Sequence, residues 1–229
     1  MLTYRKISSR DCLLLAIGAV VILAGVLVNI YIKNMRVPLG VESPRVAARW
    51  IPPTVRKWDS YIVEMAKKYD IDPNLIAIII TLESGGNPKA ESPVGAKGLM
   101  QVTAPTAQDI ATKFLKEPRK QYNLEDPRTN IEFGTAYLAY LRDEFGTPAQ
   151  GPEWISTVEL VAAGYNGGPG AANSLEQGKG LRSTETVVYS RDAFNMWRER
   201  RAASSPTFDR WKERGGSILI DSVKLQQKD

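Results

Sequence analysis

One carboxyl group in the chain is placed where acid–base chemistry is expected. Glu83 directly follows the apolar stretch LIAIIITL at residues 75–82, and Ser84-Gly85-Gly86 comes next. Apolar surroundings raise the pKa of a carboxyl group by desolvation, and the negative end of a helix dipole adds to this effect. A carboxyl group that stays protonated near neutral pH can act as a general acid. The same position also suits a glutamate that caps a loop amide or reaches solvent.

Composition limits the groups that could act with Glu83. The 229 residues include no histidine and one cysteine, Cys12, so imidazole bases, histidine-ligated metals, cysteine-rich zinc sites and intrachain disulfides are excluded. We therefore predict no metal and no cofactor. The net charge of +5 is too mild for a nucleic-acid partner but is compatible with a weakly anionic polymer.

Two glycine-rich segments have a composition that suits sugar binding. They are GAKGLMQ at 95–101 and AGYNGGPGAA at 163–172, and we predict a loop over 164–170. Glycine lets the backbone approach a ligand closely. Amide side chains can bind hydroxyl and acetamido groups, and tyrosine and methionine can contact ring faces. Each segment by itself is also compatible with an ordinary turn.

Helices are predicted to position these groups. Apolar residues recur at three-to-four spacing between Thr54 and Tyr69, which is typical of an amphipathic helix. Asp72-Pro73 provides an N-cap and a first-turn proline for a second helix, and the apolar stretch 75–82 that follows predicts a position at the centre of the fold.

Later start signals predict further helices. They are a Thr106–Asp109 capping box, Asp126-Pro127 opening a helix that ends near Gly146, a buried helix over 155–163, and Thr184 as the cap of a last helix. The segment SILI at 217–220 is the only late strand candidate. The predicted fold class is therefore mainly α.

The two ends of the chain differ from this region. Residues 12–32 are uncharged and long enough to span a bilayer, which takes about 20 apolar residues. Basic residues on the N-terminal side favour residues 1–11 in the cytoplasm and the rest on the far side of the membrane. We predict a linker over 33–53, a folded domain over 54–200 and a polar tail over 201–229.

Four motifs, in a fixed order, resemble the catalytic domain of the soluble lytic transglycosylase (SLT) family. They lie at 83–107, 130–141, 163–170 and 185–189, within a region of roughly 55–200. The resemblance implies a lysozyme-like, mostly helical fold that cleaves the MurNAc–GlcNAc linkage of bacterial peptidoglycan. Gly164 and Gly167 depart from the family's usual alanines, and both replacements are small.

The resemblance also implies roles for individual residues. Glu83 is expected to be the single catalytic acid/base, and Tyr189 is expected to hold it in place. Further substrate-binding positions are expected at Ser84, Ser92, Met100, Gln101, Tyr165, Asn166 and Glu185. Such an enzyme needs only one carboxylate, because the C6 hydroxyl of MurNAc attacks C1 and gives a 1,6-anhydro product without activated water.

Two other functions are compatible with the same sequence. A goose-type lysozyme would hydrolyse the bond with a second carboxylate, for which Glu91, Glu185 and Asp109 are candidates. A non-catalytic scaffold or glycan-binding module of a secretion or conjugation machine would keep the fold alone. The expected partners are peptidoglycan strands, the inner membrane through residues 12–32, and a cell-envelope machine as a further candidate. The sequence carries no signal for an oligomeric state.

Overall fold

Helices make up most of the structure, a computed structural model that describes residues 45–116, 122–146 and 153–226. The described helices are α1 (Pro53–Arg56), α2 (Asp59–Tyr69), α3 (Pro73–Ser84), α4 (Ala104–Lys113), α5 (Pro127–Phe145), α6 (Glu153–Gly167), α7 (Pro169–Glu176), α8 (Thr184–Arg198), α9 (Pro206–Trp211) and α10 (Ser217–Gln226). A 3₁₀ turn, Glu199–Arg201, and a π turn, Lys212–Gly216, flank α9. These ranges contain two isolated β-bridges and no strand, which confirms the mainly α prediction.

The predicted membrane anchor at 12–32 lies outside the described residues. Within the described ranges, no helix combines the length and the apolar character that a membrane span requires.

Helix α3 lies at the centre of the fold, as its apolar sequence predicts. The carboxylate of Asp72 accepts a 2.8 Å hydrogen bond from the amide of Asn74 and caps the helix, with Pro73 in the first turn. Four isoleucines of α3 have no exposed surface: Ile76, Ile78, Ile79 and Ile80. The helix ends at Gly85, whose φ of +60° is a conformation that glycine adopts without strain.

Helix α8 packs against α3 and runs in the opposite direction. The indole of Trp197 donates a 2.8 Å hydrogen bond to Asp72 at the start of α3. The phenol of Tyr189 donates a 2.6 Å hydrogen bond to Glu83 at the end of α3. Because the later residue of α8 meets the earlier end of α3, the two helices are antiparallel and linked near both ends.

Helix α5 also packs into the hydrophobic core. Its cap is Asp126, as predicted, and the carboxylate accepts a 2.8 Å hydrogen bond from the amide of Thr129. Gly134 lets the 99–101 segment approach closely, since a Cβ atom at this position would lie 2.7 Å from the Cβ of Met100. The helix ends immediately before Gly146, where the sequence places its end.

Two predicted helix caps and the extent of one predicted helix differ from the structure. Thr103, rather than Thr106, caps α4, and its hydroxyl accepts a 3.3 Å hydrogen bond from the amide of Thr106. A proline fits only the first turn, so Pro105 requires the helix to begin before it. Ser183 caps α8, and Thr184 is its first residue. The first predicted helix is divided into α1 and α2, with a break at Lys57 and Trp58.

The segment before residue 54 does not behave as an isolated linker where it is described. Val46, Ala48 and Ile51 are buried in the core. The side-chain oxygen of Asn74 accepts hydrogen bonds from the amides of Ala47 and Ala48, at 2.7 and 3.0 Å. Residues 45–53 are therefore packed into the same core as α3.

The prediction of a polar tail at 201–229 is wrong for its described part, which forms α9 and α10. Phe208, Ile220 and Val223 are buried, and the ring of Phe208 lies 5.6 Å from that of Trp50. The strand predicted at 217–220 is also wrong, because these residues open α10. Ile220 and Val223 share one helical face, and that face supplies the burial that the short apolar run suggested for a strand.

Candidate active site

Glu83 lies near the end of α3 with its carboxyl group enclosed by protein but not sealed from solvent. Desolvation raises the pKa of Glu83 to about 7 and is the largest influence on it. The hydrogen bond from Tyr189 opposes this rise, because a donor stabilises the carboxylate form, and the negative charge of Glu185 adds to it. Near neutral pH both protonation states of Glu83 are therefore populated, so the group can give a proton and take one back.

Tyr189 fixes the direction of the Glu83 carboxyl group. It lies on α8, and its hydroxyl donates to Oε1 of Glu83 over 2.6 Å. Burial and the adjacent carboxylate raise the pKa of Tyr189 well above its ordinary value. The phenol therefore remains a donor throughout the pH range in which Glu83 titrates.

Tyr165 approaches the site from α6. Its hydroxyl donates a 2.7 Å hydrogen bond to the carbonyl of Met100, and its ring lies 5.5 Å from that of Tyr137. Burial and the charge of Glu83 raise the pKa of Tyr165 well above its ordinary value. Tyr165 and Asn166 lie in the last turns of α6. The prediction of a loop over 164–170 is wrong, because α6 continues to Gly167 and only Gly168 separates it from α7, which begins at Pro169.

A hydrogen bond between Asn166 and Thr186 connects α6 with the start of α8, next to Glu185. The hydroxyl of Thr186 donates a 2.8 Å hydrogen bond to Oδ1 of Asn166. Glu185 is exposed in the first turn of α8, where a negative side chain is favourable, and its charge reaches Glu83. The start of α8 thus holds the side chain of Asn166 through Thr186 and places the charge of Glu185 within reach of Glu83.

Two expected binding residues, Ser84 and Met100, are buried. Ser84 is 1% exposed, and its hydroxyl donates to the carbonyl of Leu99 over 2.7 Å. Met100 has no exposed surface, and its side chain packs against Gly134. Both side chains are buried in this structure, and direct substrate contact stays a prediction for both.

The loop between α3 and α4 is held by its own polar side chains. The hydroxyl of Ser92 accepts a 3.0 Å hydrogen bond from the amide of Ala96. The amide of Gln101 donates to the carbonyls of Ala90 and Gly98, at 3.1 and 3.0 Å. Gln101 also has a φ of +48°, which is uncommon for a residue with a side chain. Ser92 and Gln101 are both partly exposed, so either can also meet a ligand.

Sequence reasoning missed the residue that fastens this loop to the core. Asn130 on α5 has no exposed surface. Its side chain accepts a 2.7 Å hydrogen bond from the amide of Met100 and donates to the carbonyls of Lys97 and Leu124, at 2.8 and 2.7 Å. Its neighbours Arg128, Thr129 and Glu132 are polar as well, so the sequence carried no local signal that this amide would be buried.

The three candidates for a second carboxylate, Glu91, Asp109 and Glu185, differ in the charged groups with which they interact. Glu91 lies 3.8 Å from the ammonium of Lys97, and Asp109 lies 3.3 Å from that of Lys113 on the exposed face of α4. Glu185 is the candidate whose charge acts on Glu83. Over the described ranges, no group of three or more cysteine or acidic residues is arranged to hold a metal ion.

Comparison with protein families gives one match, placed over the region just described. The profile of the transglycosylase SLT domain matches residues 60–188. This range includes α3, the loop that follows it and the first turn of α8 with Glu185. It ends one residue before Tyr189 and excludes α9 and α10.

Curated relatives and solved structures are similar over the same part of the chain. The membrane-bound lytic murein transglycosylase C of Actinobacillus pleuropneumoniae serotype 5b (strain L20) is 43% identical over 129 residues, which is 55% of this chain and 33% of the relative. The soluble lytic murein transglycosylase of Salmonella typhimurium is 38% identical over 102 residues, 44% of this chain and 14% of that protein. This chain therefore spans a third or less of the length of these relatives.

A solved structure shows the same fold. An inactive mutant of the lytic transglycosylase Slt from Pseudomonas aeruginosa superposes with a TM-score of 0.50 at 25% sequence identity, covering 65% of this chain and 25% of that chain.

Proposed function

This chain belongs to the transglycosylase SLT domain family, and on that premise we propose that it is a lytic transglycosylase that cleaves peptidoglycan. Its curated relatives carry the name lytic murein transglycosylase. The proposed bond is the β-1,4 linkage from MurNAc to GlcNAc. The proposed product is a glycan strand that ends in 1,6-anhydro-MurNAc.

One observation carries the proposal: a single enclosed carboxyl group with a pKa of about 7 and one neutral donor. An ordinary glutamate is ionised at neutral pH and is a poor acid. Glu83, desolvated and bonded to Tyr189, is present in both forms at that pH. The reaction requires one group that acts first as an acid and then as a base, and a pKa near the working pH is best for both roles.

The proposed reaction has two proton transfers and no water. Protonated Glu83 gives its proton to the glycosidic oxygen as the bond from C1 to that oxygen breaks. The resulting carboxylate then takes the proton of the C6 hydroxyl, whose oxygen forms a new bond to C1 of the same sugar. Glu83 is thereby restored to its starting form. Holding the C6 hydroxyl close to C1 makes this attack intramolecular, which lowers its entropic cost.

Partly exposed polar side chains beside Glu83 are the proposed sugar contacts. Asn166 accepts a hydrogen bond from Thr186 through its oxygen, and within the described residues its NH₂ group has no acceptor. That group can donate to an acetamido or hydroxyl oxygen. We assign further contacts to Ser92, Gln101 and Tyr165, and to Glu185 as a second acidic group near the substrate.

Digestion of purified sacculi by the full-length protein tests the reaction. Mass spectrometry of the released muropeptides should show anhydro ends, and the Glu83→Gln variant should release none. Reducing ends without anhydro product would instead identify a hydrolase, with Glu185 as its second carboxylate. A Glu83→Gln variant that supports the biological role as well as the wild type would identify a scaffold.

The proposed location is the periplasmic face of the inner membrane. This rests on the apolar, uncharged stretch at 12–32 and on the membrane-bound relatives. A reporter alkaline phosphatase, which is active only in the periplasm, should be active when fused after residue 229 and inactive when fused after residue 10. The opposite pattern would reverse the topology.

A further inference from the structure

The segment that follows α8 contacts the turn immediately after the candidate acid. Gly85, two residues beyond Glu83, lies against the backbone of α10. A Cβ atom at Gly85 would stand 2.7 Å from the carbonyl carbon of Leu219 and 2.8 Å from the amide nitrogen of Ile220. Real Cβ atoms do not approach backbone atoms this closely, so α10 packs directly onto the C-terminal end of α3.

The same segment is joined to α8 by an ion pair. Arg214, in the π turn before α10, donates to the carboxylate of Asp192 on α8. Asp192 is 8% exposed and lies three residues after Tyr189, on the neighbouring position of the same helical face. Burial raises the pKa of Asp192 above its ordinary value, and Arg214, with the nearby cations Arg210 and Arg191, opposes this rise. Within a helix a shift at Asp192 is transmitted to Tyr189, which is less than one turn away.

The connection between these two contacts is itself tightly packed. The rings of Phe208 and Trp211 are stacked at 5.7 Å. Gly216 lies against the indole of Trp211, since a Cβ atom there would stand 2.6 Å from Cε3. Gly215, with a φ of +108°, turns the chain between Arg214 and α10. The ion pair and the α10 contact therefore belong to one packed unit, residues 206–226, which we name the C-terminal brace.

We propose that the C-terminal brace positions the Glu83–Tyr189 hydrogen bond by holding the end of α3 and the middle of α8 against each other, with Asp192 and Arg214 as positioning residues. The brace lies outside the region that matches the family, residues 60–188. The proposal rests on the proposed function in that Glu83 is taken as the acid/base. Neither Asp192 nor Arg214 is assigned a contact with substrate.

The consequence falls on the protonation of Glu83. The groups that act on its carboxyl group are Tyr189 and Glu185 on α8, with the phenol of Tyr165 nearby on α6. Of these, only the hydrogen bond of Tyr189 lowers the pKa of Glu83. Releasing α8 from the brace lengthens that hydrogen bond, so the pKa of Glu83 should rise.

The test compares Arg214→Ala, Asp192→Asn and Tyr189→Phe in the full-length protein. Carboxyl NMR titration with ¹³C-labelled glutamate, in which Glu83→Gln assigns the signal, reports the pKa directly. All three variants should raise it, and Arg214→Lys should restore it. On sacculi, Arg214→Ala should lower kcat about tenfold, the effect of one hydrogen bond to a charged group, with KM unchanged.

Matched variants separate positioning from general stability. Lys224→Ala removes an exposed cation of α10 that pairs only locally with Asp221 and should leave the pKa and kcat unchanged. Asp192→Asn combined with Arg214→Ala should be no worse than either change alone. A lower Tm with an unchanged pKa of Glu83 in both single variants would overturn the proposal. If wild-type protein releases no muropeptide, the proposed function fails, while the titration still decides for or against the brace.

Discussion

The two ends of helix α3 each carry an acidic side chain that contacts α8, yet the two carboxyl groups have opposite surroundings. Asp72, at the start, accepts hydrogen bonds from the amide of Asn74 and the indole of Trp197, both at 2.8 Å. Its carboxylate also lies 3.4 Å from the guanidinium of Arg200. Glu83, near the other end, receives one hydrogen bond, from a neutral phenol, and has no ion pair with a described residue.

The difference shows how one helix can make one carboxyl group structural and another reactive. A negative charge is favoured at a helix N-terminus and disfavoured at its C-terminus. Asp72 caps α3, and its contacts with Trp197 and Arg200 fasten the start of α3 to α8 and the turn that follows it. Glu83 is desolvated and close to the negative Glu185, and its pKa is raised to about 7. Ionising Glu83 in the folded protein therefore costs free energy, which other interactions in the fold must offset.

The largest effect is expected from Glu83→Gln, which keeps the shape and removes the proton. Loss of a general acid–base group typically lowers rates by a factor of about 10² to 10⁴, and we expect at least about 10³ because the same group acts twice. Release of muropeptides from sacculi measures this. Substitution of Glu91 or Asp109 by its amide is the matched control, and a comparable loss in either would assign the chemistry elsewhere.

The same variant also tests the stability cost of the Glu83 charge. A carboxyl group whose folded pKa exceeds its unfolded value contributes stability at low pH and loses it as pH rises through the folded pKa. With a folded pKa of about 7 against an ordinary value of 4.5, the loss for wild type falls between those two pH values. The Tm of Glu83→Gln should therefore gain on that of wild type between pH 4 and pH 8. A constant difference between the two would contradict the raised pKa.

At the other end of α3, Asp72→Ala should reduce stability and not chemistry. Loss of an N-cap costs about 0.5 to 2 kcal/mol, and the partly buried Arg200 loses its partner as well. We expect a decrease of about 2 kcal/mol in the free energy of unfolding, measured with urea. Asp72→Asn keeps the cap and should lose about half as much. At 20 °C, kcat per folded molecule should match wild type in both variants, and a hundredfold loss would remove the contrast between the two ends.

A smaller effect is expected from Tyr189→Phe, which removes the only donor shown on Glu83. Because that hydrogen bond stabilises the carboxylate, its loss should raise the pKa of Glu83. The alkaline limb of the pH–rate profile, on which Glu83 loses the proton that it must donate, should then move to higher pH. The rate at pH 6 should fall about tenfold, the effect of one hydrogen bond to a charged group. Tyr137→Phe, on α5, is the control and should leave the profile in place. A downward shift for Tyr189→Phe would reverse the assigned role.

The smallest effect is expected from Glu185→Gln. Removing this nearby negative charge should lower the pKa of Glu83 slightly and shift the pH–rate profile to lower pH, opposite to Tyr189→Phe. Glu185 is exposed, so salt screens its interaction with Glu83, and the shift should shrink at 1 M NaCl. A loss of activity as large as that of Glu83→Gln would instead identify Glu185 as the second carboxylate of a hydrolase.

Local signals in the sequence were sufficient to predict much of the helical structure. The Asp-Pro pairs at 72–73 and 126–127 predicted two helix starts correctly, because capping depends on residues within one turn. The apolar run before Glu83 predicted a desolvated carboxyl group with a raised pKa. One local signal was misread by a single residue, since Ser183 and not the neighbouring Thr184 caps α8.

Other residues acquired their roles only through contacts between distant parts of the chain. The sequence does not indicate that Met100 points into the core, since its direction depends on the gap that Gly134 leaves on α5. Asn130 was not selected because two of its three backbone partners, Lys97 and Met100, lie 33 and 30 residues earlier in the chain. The sequence at 164–170 suggests a loop, but in the fold α6 continues to Gly167 and α7 begins at Pro169.

The sequence by itself therefore determined the helical class, the family and the position of one desolvated acid, since each depends on local composition and order. Only the tertiary structure decided what surrounds that acid. Tyr189 is 106 residues from Glu83, and the brace is still farther along the chain. Hydrogen bonding and packing act over a few ångströms in space whatever the separation in sequence, so the folded chain alone brings Tyr189 and α10 to the end of α3.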